Sequence, residues 1–388
     1  MANISKITMN KIFLSFFLTI FISQILFGQE YSVYKSKIDT SFVSSHLGYE
    51  KKISILLPDD WQNNNEKKYP LIIVFDRQNI RSHNQIINTI DYLTASEQMP
   101  RSIIISIESD NSRRINEAKS PISSESGKAH LNEKYLFNEI INLAESKFKA
   151  SQFRVLIGHS WYGHFTTSMF TKNIDNLSAV IALDPFFKQK NISLIDSIST
   201  LNNLEIKHTK YFRYSIGKDY PEDYRAIENA KNENTNSKID IKGSYFPRAF
   251  HNAVPGLGIG EALYDIFEYW SIQQYTFFNP SNKSVDVFTE LKNNIINHYG
   301  NNLNFSLGVL NGKAWGFYNE EEYLKAITVW NELMNQYPSF SEAYLYIIDA
   351  QQQLRLDTSK TKIKFKQSLQ LSQYYSQEEK KELLSELK

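Results

Sequence analysis

Cysteine is absent from the 388 residues, which removes disulfides, thiolate metal sites, cysteine nucleophiles and cysteine lipidation from consideration. Charge of one sign is also lacking: 43 Lys and Arg meet 42 Asp and Glu, a formal net charge of +1, so nothing electrostatic points to nucleic acid as a partner. After residue 27 no apolar run is long enough for a second membrane span. The glycine cluster Gly256-Leu257-Gly258-Ile259-Gly260 lacks dinucleotide or P-loop spacing and follows no first strand; it reads as a flexible turn before a helix. Aromatic residues are abundant at 14%, with 23 Tyr and 25 Phe, which suits a packed globular protein, leaves room for an aromatic-lined pocket and argues against disorder. The length allows two domains.

The amino terminus has the pattern of a secretory signal. Lys6 and Lys11 precede an apolar run from Ile12 to Phe27, and Gly28 supplies the small residue at a cleavage junction. An uncleaved anchor is the alternative, but the run is short against the roughly 20 residues of a full span. The expectation is a signal peptide over 1–28 and an exported, periplasmic or secreted, mature chain.

Two regimes follow. From Tyr31 to Leu57 the alternation predicts antiparallel strands. Continuous apolar runs at Tyr69–Phe75, Ser102–Ile107, Phe153–Ile157, Ala179–Leu183 and Tyr211–Ile216 read as strands buried on both faces. Helical patterns at His83–Gln98 and Leu131–Phe148 lie between them, so the fold class is α/β with a mostly parallel sheet covered on both faces. Beyond about Pro280 strand patterns cease and amphipathic helices run to the end, which divides the chain into 29–280 and a helical domain, 281–388. Ala314, Phe317, Ala326, Trp330 and Pro338 fall at tetratricopeptide-like spacings, with a weaker unit over Tyr344–Leu371. So few units do not stand alone, and the tail is expected to lean on the first domain.

The chemistry centres on Gly158-His159-Ser160-Trp161-Tyr162-Gly163, between a strand and a helix start. Strand, sharp turn, serine and helix make up a nucleophile elbow, which exposes a serine Oγ at the carboxyl edge of a sheet. Such a serine needs a base and a carboxylate to orient that base, arriving in the order acid, then histidine. Asp219, just past Gly217 at the end of a strand, and His251, in a loop before a helix, supply that order. Asp184, in Leu183-Asp184-Pro185, is an alternative acid, with Asp223 nearby.

These motifs resemble the putative-esterase (esterase D-like) family of α/β hydrolases, related to siderophore esterases, over residues 42 to 278. Tyr69-Pro70 with Asp76 resembles its strand ending in Asp-Gly, and Arg113, Arg114 and Lys119-Ser120-Pro121 its arginine-rich loop. Gly158-His159-Ser160, Gly217-Lys218-Asp219 and His251-Asn252-Ala253-Val254-Pro255 match its nucleophile, acid and histidine motifs. The resemblance implies a serine esterase with Ser160 as nucleophile, His251 as base and Asp219 as orienting acid, with no cofactor or metal. The Trp161 N–H, with one near Arg77 or Gln78, would form the oxyanion hole, and the substrate is a small-molecule ester. Some exported members also carry a tetratricopeptide-like tail.

Two departures stand out. The family usually has glycine two residues after the serine, where this chain has Tyr162, expected to distort the elbow or narrow the acyl pocket. Arg77 replaces the glycine after Asp76. Arg113 and Arg114 could recognise an anionic or catecholate group, or simply be solvated. His159 and His164 straddle the elbow without a carboxylate cluster and read as packing or pocket lining, not a metal site. The rival to an esterase is a catalytically weak hydrolase fold that binds protein partners through its helical tail.

Overall fold

The computed structural model describes residues 31–61, 66–372 and 374–387. The expected signal peptide, 1–28, lies outside the described residues. β1 (Ser36–Val43) and β2 (Glu50–Leu57) pair antiparallel, as their alternation predicts. The chain enters the middle of the sheet as β3 (Tyr69–Val74), crosses through α1 (Ile80–Ala95) and returns as β4 (Ile103–Ile107). β4 joins β2 antiparallel and β3 parallel. Next come α2 (Arg114–Ala118) and α3 (Ala129–Lys134), continued through a π-helical stretch, Tyr135–Ile141, into α4 (Asn142–Phe148). β5 (Ala150–His159), α5 (Trp161–Lys172) and β6 (Ala179–Leu183) follow, then a small hairpin of β7 (Lys188–Gln189) and β8 (Ile192–Ser193). α6 (Leu194–Thr200), β9 (Lys210–Gly217), α7 (Pro221–Asn232) and β10 (Ile239–Phe246) complete an eight-stranded sheet of order β1-β2-β4-β3-β5-β6-β9-β10. From β4 to β10 every pairing is parallel.

The apolar runs have the burial that a doubly covered sheet requires. Ile72 and Val74 of β3 join one core, with Ile266 and Trp270 of the long helix α8 (Val254–Phe278). Leu71 and Ile73, pointing the other way, join a second core with Phe165 and Phe170 of α5. This is the period-two geometry of a strand serving both faces.

Gly256–Gly260, expected as a flexible turn, lies within α8. The glycines allow close approach: a Cβ on Gly258 would collide with the Ser215 side chain of β9. Pro255 stands in the first turn of α8, where its missing N–H costs nothing.

After α8 the described chain is helical: α9 (Val287–Tyr299), α10 (Leu307–Asn319), α11 (Tyr323–Gln336), α12 (Ala343–Gln353), α13 (Ser359–Leu371) and α14 (Gln377–Ser385). α10 and α11 form a tight helical hairpin with Ala314, Phe317, Ala326 and Trp330 buried, and Pro338 follows the end of α11. The tail does not own this core. One continuous apolar cluster runs from Ile72 and Val155 through Trp270 and Tyr299 to Phe305, Trp330 and Ile347. Polar contacts reinforce it: Trp270 Nε1–H donates to the Asn304 carbonyl at 3.1 Å and the Tyr299 hydroxyl to the Ile266 carbonyl at 3.0 Å. Among the described residues no helix is long and apolar enough to cross a membrane.

Candidate active site

Parallel pairing brings the carboxyl ends of β5, β6 and β9 side by side. His159 is in register with Leu183, and Leu183 with Ser215, so the residues just after these strands meet at one edge. Ser160 stands there between β5 and α5 with φ 60° and ψ −119°. A non-glycine residue rarely adopts this backbone, at a cost of about 1–3 kcal/mol, and such strain persists only where the surroundings enforce it. Here the Ser160 N–H donates to the Leu183 carbonyl at 2.9 Å, and the Ser160 carbonyl accepts the His164 N–H at 3.0 Å. The turn is tight enough that a Cβ on Gly158 would collide with the Tyr162 carbonyl, while one on Gly163 would press on Pro185 at 3.1 Å. In this elbow the crowded position after the serine is therefore 163, and glycine occupies it.

Tyr162, placed by the sequence reading in the acyl pocket, is instead fully buried beneath the elbow. Its ring stacks on Phe75, with centroids 4.6 Å apart and planes 13° apart. Its hydroxyl donates to Glu117 Oε2 at 2.6 Å. Burial, with the Glu117 charge alongside, raises its pKa well above the ordinary value, so the hydroxyl stays a donor. The residue neither distorts the elbow nor lines a pocket.

His251 lies in a short 3₁₀ turn ahead of α8. Its Nδ1–H donates to Asp184 Oδ2, which leaves the ring's lone pair on Nε2. Asp219, expected as the orienting acid, does something else: its Oδ2 accepts the His251 backbone N–H at 2.7 Å. The reason is strand geometry. Asp184 follows β6, the strand next to the elbow strand, and a left-handed turn at φ 45° directs its fully buried carboxylate inward. There its Oδ1 accepts the Gly217 N–H at 2.7 Å. Asp219 lies two residues beyond β9, one strand further out, and fixes the loop instead of the ring. Asp223 accepts the Phe187 N–H at 3.1 Å.

His159 supports His251 from the other side. The two rings lie 4.5 Å apart, and His159 Nε2–H donates to the His251 carbonyl at 3.2 Å. Burial, then the neighbouring His251, pushes the His159 pKa down to about 3, so its ring is neutral. His164 donates Nδ1–H to the Phe186 carbonyl at 2.9 Å and stacks on the Phe186 ring. Burial lowers its pKa to about 4. Among the described residues no group of three or more histidines and carboxylates could hold a metal ion.

The remaining expected site residues separate. Trp161 opens α5, half-buried and edge-on to Phe186, with its backbone N–H in the first turn behind Ser160. Arg77 is not in the site: its N–H donates to the Ile107 carbonyl at 3.0 Å and its guanidinium pairs with Asp39 of β1 and with Glu108. Gln78 is therefore the candidate second oxyanion donor, its side chain held by Asp76 and by the Ser109 N–H. Arg113 lies over the Tyr49 ring at 4.3 Å. Arg114, its neighbour, reaches the site: it grips Asp76 with Nε at 2.7 Å and Nη2 at 2.5 Å, and Nη2 also donates to the His159 carbonyl at 3.2 Å. Glu117 and Arg114 are contributions the sequence reading missed or left open. An acidic residue three places after an arginine, in a short loop helix, carries no distinctive signal.

Solved structures with the same fold lie at low identity. An IroE-like serine hydrolase from Shewanella oneidensis is 15% identical, with a TM-score of 0.64 over 77% of this chain and 99% of that one. An uncharacterised protein from Capnocytophaga ochracea is 12% identical with a TM-score of 0.59. That likeness covers 90% of this chain and 99% of the other, so the shared fold extends into the helical tail. The BES protein from Bacillus cereus, 16% identical, reaches 0.50 over 62% of this chain and 99% of its own. No curated protein is matched by the sequence. The family model described as putative esterase matches residues 44–236, the stretch that carries the elbow, Asp184 and Asp219. Residues 44–236 thus belong to the putative esterase family, whose class of reaction is the hydrolysis of carboxylic esters.

Proposed function

We propose that this protein is an exported serine esterase working through an acyl-Ser160 intermediate, with His251 as general base and acid and Asp184 as the orienting carboxylate. The observation that carries the reading is the strained Ser160 backbone at the β5–α5 junction, together with a histidine that packs on His159, the residue before the serine, and is bonded through Nδ1 to a fully buried aspartate. His251 Nε2 takes the Ser160 hydroxyl proton as Oγ bonds to the ester carbonyl carbon. The proton then passes to the departing alkoxide, which leaves as the alcohol. Water, deprotonated by the same nitrogen, attacks the acyl-enzyme; the acid leaves and Ser160 regains its proton. Negative charge on the carbonyl oxygen meets the N–H groups of Trp161 and Gln78, each donor being worth about 3 kcal/mol in the transition state. Asp184 keeps His251 in the tautomer with Nε2 free and stabilises the imidazolium as it forms.

Tyr162 and Arg77, the features that favoured a non-catalytic binding protein, lie under the elbow and at the β1 edge, where neither obstructs the serine. The fold neighbour described as a serine hydrolase is in keeping with this chemistry. Export rests on the basic and apolar pattern of residues 6–28. The test is steady-state hydrolysis of p-nitrophenyl acyl esters by the mature protein. Turnover lost in Ser160→Ala and in His251→Ala supports the reading, and turnover retained in either variant overturns it.

A further inference from the structure

The two oxyanion donors assigned above sit on different segments, Trp161 on the elbow and Gln78 on the loop after β3, and need a fixed separation. We infer that a closed circuit of buried and half-buried side chains, anchored on the short helix α2, sets that separation, with Glu117, Tyr162, Ser109 and Gln78 as positioning residues. The inference rests on the esterase reading and goes beyond it.

The circuit can be followed bond by bond. Glu117 of α2 accepts the Tyr162 hydroxyl at 2.6 Å, which holds the elbow just past the serine. The Ser109 hydroxyl lies 2.6 Å from the Tyr162 oxygen and 2.9 Å from Glu117 Oε2. The Ser109 N–H donates to Gln78 Oε1 at 2.9 Å, and Gln78 Nε2–H donates to Asp76 Oδ1 at 2.9 Å. Asp76 is gripped by Arg114, which also donates to the carbonyl of His159, the residue before the serine. Arg114 and Glu117 lie three residues apart on the same helix, so the circuit closes. The Phe75–Tyr162 stack runs through its middle and joins the same two segments by packing.

The hub is built to be rigid. Glu117 is fully buried and also accepts from Lys51 Nζ at 2.7 Å and the Tyr49 hydroxyl at 2.9 Å. Burial opposes its ionisation, but the Lys51 charge and the hydrogen bonds from Lys51, Tyr162 and Ser109 outweigh it and hold its pKa below the ordinary value. Satisfied buried networks of this kind fix geometry. Tyr162, the chain's departure from the family's glycine, is the member through which the elbow is tied in.

The test compares wild type, Tyr162→Phe, Gln78→Met and the double variant in ester hydrolysis. Tyr162→Phe keeps the stack and removes one hydroxyl; Gln78→Met keeps the backbone N–H and removes both side-chain bonds. Each single variant is expected to lower kcat by about 10- to 100-fold with KM within about threefold, since misplacement of transition-state donors acts on turnover. Because either cut opens the same circuit, the double variant should fall little below the worse single one, whereas unrelated packing defects would multiply. Wild-type kcat in both single variants, multiplicative losses, or a rise in KM at unchanged kcat would each overturn the inference. Wild-type protein without Ser160-dependent turnover would overturn the esterase reading and this inference with it.

Discussion

Replacing Asp184 and Asp219 in turn by asparagine separates their two roles. Asp184 has no solvent exposure and spends one oxygen on the Gly217 N–H and the other on His251 Nδ1–H. An asparagine there presents one acceptor and one NH₂ to two donors. Either a donor meets a donor, or His251 flips to the tautomer with its proton on Nε2 and loses its function as base. It also removes the negative charge facing the imidazolium. By analogy with such a change in other serine hydrolases, the loss is on the order of 10³- to 10⁴-fold in kcat, about 4–5.5 kcal/mol. Asp219→Asn keeps an acceptor for the His251 backbone N–H, so the expected loss is under about tenfold. The assay is kcat and KM on one p-nitrophenyl ester, with circular dichroism to verify folding. A larger loss in Asp219→Asn than in Asp184→Asn would refute the reasoning.

Other predictions follow from the same contacts. Tyr162→Gly, which would restore the family's glycine, should lower stability by about 3–5 kcal/mol in urea unfolding, because it empties a fully buried aromatic site; unchanged stability with higher turnover would contradict the buried placement. Trp330→Ala should destabilise by a similar amount and lower the melting of sheet and tail together, since one core spans both; a sheet transition left in place would contradict the shared core. His159 and His164 have folded pKa values lowered from 6.5 to about 3 and about 4, mainly by burial, so the unfolded chain binds protons first as pH falls. Stability should therefore be full above pH 6.5 and drop below it, by about 2 kcal/mol per ring at pH 5. Urea midpoints at pH 7.5 and 5 check the sign, and a midpoint that rises on acidification would contradict it.

Much of this architecture is legible in the sequence because its signals are local. The runs at Tyr69–Phe75 and Ala179–Leu183 are apolar on both faces, and both become central strands. Ser160 can be placed because glycine, strand and helix start crowd into a few residues. The acid was harder to read. Choosing between Asp184 and Asp219 depends on which strand lies next to β5, and strand order is not written in chain order. Tyr162 misleads for a related reason: its spacing matches a glycine, but its side chain is disposed of by Glu117 and Phe75, partners 45 and 87 residues away. Gly256–Gly260 reads as a turn because glycine signals flexibility locally, whereas here it permits α8 to lie against Ser215.

The account's central claim is that Ser160 is an activated nucleophile. The most direct measurement is treatment of the folded, mature protein with a fluorophosphonate, followed by intact mass and peptide mapping, for wild type and Ser160→Ala. The account predicts a single adduct on Ser160 in wild type and none in the variant. Wild-type protein left unlabelled, or labelled equally in Ser160→Ala, would contradict it.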